Sequence, residues 1–313
     1  MKILSIKTVS QWILMLALIT NASMALAQNA LYVANGESDS SDNGASSVSL
    51  LESNGWTVTA VYDDRDPDTG ANTTLETANL SGYDLIVFGA SDDNKDDDGE
   101  SNQTSPEAIV ALEAYASNGG FVFVTGYDSV ASPEDLTLAS FLAGAPVAAT
   151  EDEIATTATQ LPSFLTEGVF DITGFDLTQF DFDMDAIKQA DLNPDEAKCV
   201  TGPDQDYDAC SWTIRAVGQG CAAFVSIADD SGQVEADPYF ESADPTAEYY
   251  PYAAALLNFA YHSLQATEEY ACAEGLAREV RGPESIPTLG HAGLIVLSLM
   301  VLLGAMIGLR RVF

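Results

Sequence analysis

Between Ala30 and Thr125 the chain alternates short apolar runs with stretches of helical periodicity, and this alternation constrains the fold more than any other feature. Leu31 to Ala34, Trp56 to Tyr62, Leu85 to Gly89 and Phe121 to Thr125 are brief, apolar and rich in Val, Phe and Tyr, as strands buried on both faces are. Strands separated by helices need crossover connections, which lay them side by side in parallel. The helices have readable ends. Ser105 can cap, Pro106 suits the first helical position, Ile109, Val110 and Leu112 supply an apolar side, and Asn118-Gly119-Gly120 stops the helix. Ser132-Pro133 repeats the device ahead of Leu136, Leu138, Phe141 and Leu142, with Gly144 as the stop. Beyond residue 145 the pattern loosens into Thr-rich and Asp-rich segments. Ser211 to Val217 and Cys221 to Ile227, parted by Gly218-Gln219-Gly220, still predict an antiparallel hairpin that extends the sheet, and Pro251 to Leu264 predicts a closing helix. One α/β domain over residues 28–265 accommodates these elements. Residues 266–285 read as a linker, since Glu, Arg, Gly and Pro come to dominate.

The two ends read as targeting segments. Lys2 and Lys7, an apolar run from Trp12 to Ile19, and Ala25-Leu26-Ala27 before Gln28 are the three parts of a secretory signal peptide over residues 1–27, cleaved by signal peptidase after Ala27. At the other end, the uncharged stretch Ala292 to Leu309 would extend about 27 Å as a helix, against a hydrocarbon core of roughly 30 Å. A transmembrane helix over 292–309 is expected. Arg310 and Arg311 follow it at once, which keeps that end cytoplasmic and the body outside the inner membrane.

Ile286-Pro287-Thr288-Leu289, the apolar helix beginning near Gly293-Leu294-Ile295, and the Arg310-Arg311 pair resemble the IPTL-CTERM sorting signal of Gram-negative bacteria. Gly290-His291-Ala292-Gly293 stands where family members often carry Ser-Glu-Trp-Gly. The resemblance covers residues 286–313. It implies an exosortase-type processing enzyme as partner, an inner-membrane intermediate, cleavage near the motif, and delivery to the cell surface or extracellular matrix. A plain C-terminal membrane anchor is the alternative.

A second resemblance concerns the body. Tyr83-Asp84-Leu85-Ile86-Val87-Phe88-Gly89, the helix ending at Asn118-Gly119-Gly120, and Phe121-Val122-Phe123-Val124-Thr125-Gly126 are similar to class I glutamine amidotransferase-like and ThuA-like domains. That implies a flavodoxin-like three-layer sandwich. In amidotransferases a Cys nucleophile follows the strand corresponding to Phe121 to Thr125, within Gly-x-Cys-x-Gly. Here Gly126-Tyr127-Asp128-Ser129-Val130 puts Asp128 in its place and lacks the second Gly. A carboxylate is a poor acyl-transfer nucleophile. The only histidines are His262, inside the closing helix, and His291, in the sorting tail. The reading therefore leans to a non-catalytic protein. Asp128 and Ser129 remain weak candidates in a cleft beyond the carboxyl ends of the strands, with a turn that caps the next helix as the commoner role.

Cys199, Cys210, Cys221 and Cys272 are even in number and lie in the exported body, which favours two disulfides. Three pairings can be drawn. A turn at Gly218 to Gly220 sets Cys221 opposite Val217 and far from Cys210, which favours Cys199–Cys210 with Cys221–Cys272. The second would contribute about 4 kcal/mol by the loop-entropy model. Free buried thiols are the alternative. Two isolated His and four scattered Cys give no zinc spacing.

Charge decides the class of partner. All 48 acidic residues fall between Glu37 and Glu284, with only seven of the 11 basic ones, a balance of −41. Such a body repels phosphate backbones and anionic lipid, so nucleic acid is excluded as a partner. The acids gather in segments expected at the carboxyl ends of the strands. Within them Asp64-x-Asp66-x-Asp68 and Asn94-x-Asp96-x-Asp98-Gly99 have the alternating oxygens of calcium loops. Thr69 replaces the needed Gly in the first, and Ser105 replaces the twelfth-position Glu in the second. Weak, millimolar calcium binding is the one cofactor expectation, set against a merely solvated acidic surface suited to salty surroundings. The resulting reading is a sorted surface or matrix protein whose acidic rim binds cations or an extracellular component. The alternatives are an extracellular hydrolase of the ThuA-like or amidotransferase-like kind, and a carbohydrate-binding module stacking sugars on Trp56, Trp212, Tyr249, Tyr250 and Tyr252.

Overall fold

The computed structural model describes residues 28–35, 45–62, 64, 66, 70–90, 104–126, 130, 136–154, 162–173, 175, 177, 184–201, 208–227, 238–247, 249–265 and 272. The chain divides into two units at Ala277/Arg278, and every described residue belongs to the first. The four apolar runs form β1 (Gln28–Asn35), β2 (Trp56–Val61), β3 (Leu85–Ala90) and β4 (Phe121–Gly126). They pair in parallel, with β1 between β2 and β3 and β4 beyond β3. The hairpin supplies β9 (Trp212–Val217) and β10 (Gly220–Ser226), and β10 pairs in parallel with β4. With β7 (Ala197–Cys199) outermost, the seven-stranded order is β2-β1-β3-β4-β10-β9-β7. A separate small sheet, β5 (Glu151–Ile154), β6 (Met184–Lys188) and β8 (Ala209–Cys210), has no counterpart in the sequence reading.

Two cores sandwich the large sheet. Tyr32, Val87, Phe123 and Ala223 face α1 (Ala45–Ser53) and α5 (Tyr250–Gln265), while Val33, Phe88, Val124 and Phe224 face α2 (Thr73–Thr77), α3 (Pro106–Ser117) and α4 (Leu136–Ala143). Both faces are covered over β3 and β4, whose residues are all buried and read as unbroken apolar runs; β2, at the edge, corrects the expectation of a strand buried on both faces, since Thr57 and Thr59 are exposed. The Ser105 hydroxyl accepts from the Ala108 N–H at 3.1 Å, and Gly119 leaves α3 at φ +100°. Only Gly adopts that conformation at little cost. The Ser132-Pro133 cap lies outside the described residues, although α4 itself ends before Gly144 at φ +70°.

The hairpin register corrects one expectation. Gly220, not Cys221, lies opposite Val217, and Cys221 pairs with Ala216. The strands run one residue closer to a two-residue turn because Gly218 takes φ +59°. Its missing Cβ lets the tip press on α3, where an added atom would come within 2.7 Å of the Ser117 carbonyl oxygen.

Disulfides join Cys199 to Cys210 and Cys221 to Cys272, with Cα separations of 5.5 and 5.4 Å. The first links the outermost strand of the large sheet to the small sheet. The second links β10 to the chain beyond α5. Arg215, one of few cations in the body, is buried on β9, donating to the Phe141 carbonyl at the end of α4 and to Glu196 at 3.0 Å, with Glu113 of α3 at 3.5 Å. The guanidinium suits this place, since its planar fork serves several acceptors at once.

Candidate functional site

In open parallel sheets, ligands sit beyond the carboxyl ends of the strands. Along that edge Ala34, Gly89, Thr125, Val225 and Trp212 form one row from β1 across to β9. The row has unusual polar character for a core. The Tyr32 hydroxyl lies over Gly89, 2.7 Å from where a Cβ would stand. Thr125 Oγ1, Trp212 Nε1, Ser226 Oγ at the end of β10 and Ser47 Oγ in the first turn of α1 are buried without a hydrogen-bond partner among the described residues. Each such group costs free energy unless a water or ligand meets it.

The turn after β4, where the sequence placed Tyr127, Asp128 and Ser129, lies outside the described residues. Val130 beyond it is fully buried, and its N–H donates to Asp185 Oδ2 at 3.0 Å. Asp185, on β6, is a buried carboxylate against the candidate turn that the sequence reading missed. Its segment alternates Asp181, Asp183 and Asp185, and alternation alone does not tell which Asp turns inward.

Of the candidate calcium residues, Asp64 and Asp66 are described, while Asp68, Asn94, Asp96 and Asp98 lie outside. Asp64 is 2 % exposed, and its two carboxylate oxygens accept from the N–H groups of Thr74 and Leu75, at 2.5 and 3.2 Å. It anchors the first turn of α2, where a negative charge meets unsatisfied donors. Among the described residues no group of three His, Cys, Asp or Glu is arranged to hold a metal ion. Burial pushes the Asp64 carboxyl above its ordinary value of 3.8, against the pull of the Thr74 and Leu75 donors. A folded-state pKa above the unfolded one stabilises the fold at low pH, and this contribution is lost as pH rises through the folded value. Titration of the Asp64 carboxyl carbon by NMR is expected to show a midpoint above 3.8; one below it would mean that the donors outweigh burial.

The remaining candidates are structural. His262 stacks on Phe164 at 4.0 Å between centroids, and its Nε2 meets the Glu167 carbonyl at 2.7 Å. Trp212 and Tyr252 are fully buried and pack edge to face at 5.3 Å, and Trp56 and Tyr250 are each 7 % exposed. These four rings are core and offer no stacking faces for sugar, while Tyr249, the fifth, is half-buried. At the opposite edge of the sheet lies a groove of about 440 Å³ walled by Glu76, Tyr83, Asp84 and Tyr115. Its carboxylates already serve the backbone, Asp84 at the Asn29 N–H and Glu76 at the Asn72 N–H.

Residues 284–311 match the IPTL-CTERM motif. The match indicates an exported protein carrying a cell-surface sorting signal, processed by an exosortase. The transmembrane helix expected over 292–309 lies outside the described residues; among the described ones, no helix is long and apolar enough to cross a membrane. No curated protein matches the chain. Solved structures that match include Gan42B, a GH42 beta-galactosidase, at 13% identity and a TM-score of 0.33, covering 64% of this chain and 27% of that one. The chain thus spans about a quarter of that protein's length, and a likeness this distant carries no argument. The similarity of the body to amidotransferase-like and ThuA-like domains gains no support from these matches.

Proposed function

We propose that the chain is a non-catalytic surface or extracellular-matrix protein, sorted by an exosortase through an inner-membrane intermediate. Its α/β domain binds cations or another extracellular component at the carboxyl edge of the sheet. The observation that carries this reading is the sorting motif at residues 284–311. The parallel strands run β2-β1-β3-β4-β10, the order of flavodoxin-like sheets, whose ligands bind at that edge. The hydroxyls of Thr125 and Ser226, without a partner among the described residues, lie at the same edge. Calcium is the proposed ion, held weakly by the acid-rich segments that contain Asp66, Asp68, Asn94, Asp96 and Asp98. The carboxylate of Asp64 is better described as the anchor of α2.

Mass spectrometry of the protein recovered from the producing Gram-negative cells tests the sorting: its C-terminal residue should lie near Ile286-Pro287-Thr288-Leu289. Recovery of chains that end at Phe313 would leave a plain anchor instead. Melting in calcium, compared with magnesium and with sodium chloride at equal ionic strength, tests the ion. Calcium at several times its dissociation constant should raise the midpoint more than the others. Equal shifts would reduce the effect to screening.

One observation favours a second reading. Asp185 holds the backbone just after Asp128 and Ser129, as a positioning group would in an extracellular hydrolase of the amidotransferase-like or ThuA-like class. Asp128→Asn and Ser129→Ala variants that fold and still turn over ester or amide substrates at the rate of the parent would end it.

A further inference from the structure

From the course of the chain beyond α5 we infer that the Cys221–Cys272 disulfide is a force clamp: it passes tension on the C-terminal tail directly into the middle of the large sheet and keeps that tension off α5. The inference rests on the sorting proposal for the source of the pull, since a protein fastened by its C-terminal end is pulled through that end.

Cys272 is the last described residue, twelve positions before the matched motif begins at 284. Whatever holds the motif therefore pulls on Cys272. Two routes lead from there into the domain. Along the backbone that route leads to α5, which carries Tyr252, Leu256 and Phe259 into the core. A helix pulled from its end frays turn by turn, because each step breaks few hydrogen bonds. Losing α5 would uncover the part of that sheet face which α1 does not cover.

The disulfide offers the other route. Cys221 is the second residue of β10, which has β4 on one side, with Phe121 opposite, and β9 on the other, with Ala216 opposite. Its N–H also donates to the Gly120 carbonyl at 3.1 Å. All seven residues of β10 are buried. Tension arriving at Cys221 runs along the strand from its amino end and strains both ladders together, so many hydrogen bonds must yield at once. The amino end is also the end away from the proposed ligand edge. A load between ligand and tail thus runs lengthwise through the sheet, the direction in which its ladders resist best.

The experiment is single-molecule pulling of residues 28–313 in detergent, with handles fused before Gln28 and after Phe313; Gln28 and Cys221 both lie at the amino edge, so this load crosses the sheet and reads whether tension bypasses α5. The oxidised protein should show no release of α5 before the sheet breaks. Its total extension should fall short of the fully unfolded chain by about 180 Å, the length of the 51 residues locked between the cysteines. A Cys221→Ser/Cys272→Ser variant should add an early, low-force step of roughly 80 Å as residues 250–272 come away. Should that variant fail to fold, reduction of an already folded Cys199→Ser/Cys210→Ser variant gives the comparison, since Cys221–Cys272 is then the bond that the reductant breaks. An early α5 step in the oxidised chain, or identical first ruptures with and without the bond, would overturn the clamp. Failure of the sorting proposal would instead appear in the C-terminal residue found by mass spectrometry and would leave the pulling traces unchanged.

Discussion

Replacing Asn258 with Ala should cost about 4 kcal/mol of stability in urea unfolding. Asn258 is fully buried on α5, where its Nδ2 donates to the carbonyls of Leu165 and Phe170 at 3.0 and 2.9 Å, and its Oδ1 accepts from the Phe170 N–H at 2.8 Å. One amide thereby completes three backbone groups of a loop some ninety residues away in sequence. Truncation would strand the buried Leu165 carbonyl, leave the half-buried Phe170 groups without their partner and open a void, and the backbone at Gly168 packs against the same oxygen too closely for a Cβ. Asn258→Asp is the sharper variant. It keeps the acceptor for Phe170 but sets a carboxylate against two carbonyls, so at neutral pH it should lose at least as much as Ala. It should recover part of that loss in acid, when the protonated group can donate once. A loss below about 1 kcal/mol for both variants would mean that the loop contributes little to the fold.

Removing the Cys221–Cys272 bond by a double Ser substitution should cost about 4 kcal/mol, and removing Cys199–Cys210 about 3, by the dependence of loop entropy on length. The two bonds span 51 and 11 residues. The sign of the difference is the useful part. Equal losses, or a larger one for the short loop, would show that packing around Cys199 and Cys210, where the two sheets meet, matters more than the freedom each bond removes from the unfolded chain.

Parts of this architecture were legible because they obey local rules. β1, β3 and β4 are apolar on both faces, so their runs stand out without any partner being known, while β2 at the sheet edge alternates, with Thr57 and Thr59 exposed. Ser105 and Pro106 announce α3 because its first N–H groups need an acceptor and proline needs no donor. Gly218 marks the hairpin turn, although the register slipped by one residue because a glycine-bounded turn can close on two residues or on three. The small sheet was hidden: β8 has two residues and β6 lies in an Asp-alternating stretch that reads equally as a loop. Asn258, Arg215 and Asp185 were hidden for another reason. Their partners are backbone groups or side chains far away in sequence, and no periodicity records such contacts. At the carboxyl edge Asp128 and most of the acidic residues lie outside the described residues, and the buried hydroxyls of Thr125 and Ser226 look like ordinary strand residues until their surroundings are known.

Gln28 opens β1 at the amino edge of the sheet, and Cys272 is fastened to β10 at the same edge, three strands away. Strand spacing makes that gap about 14 Å. A bridge of a few glycines and serines could therefore span it, and the chain could be cut anew between β3 and α3, within residues 91–103. Such a circular permutant should keep every ladder of the sheet and both covalent cross-links, since termini that lie close together tolerate the exchange.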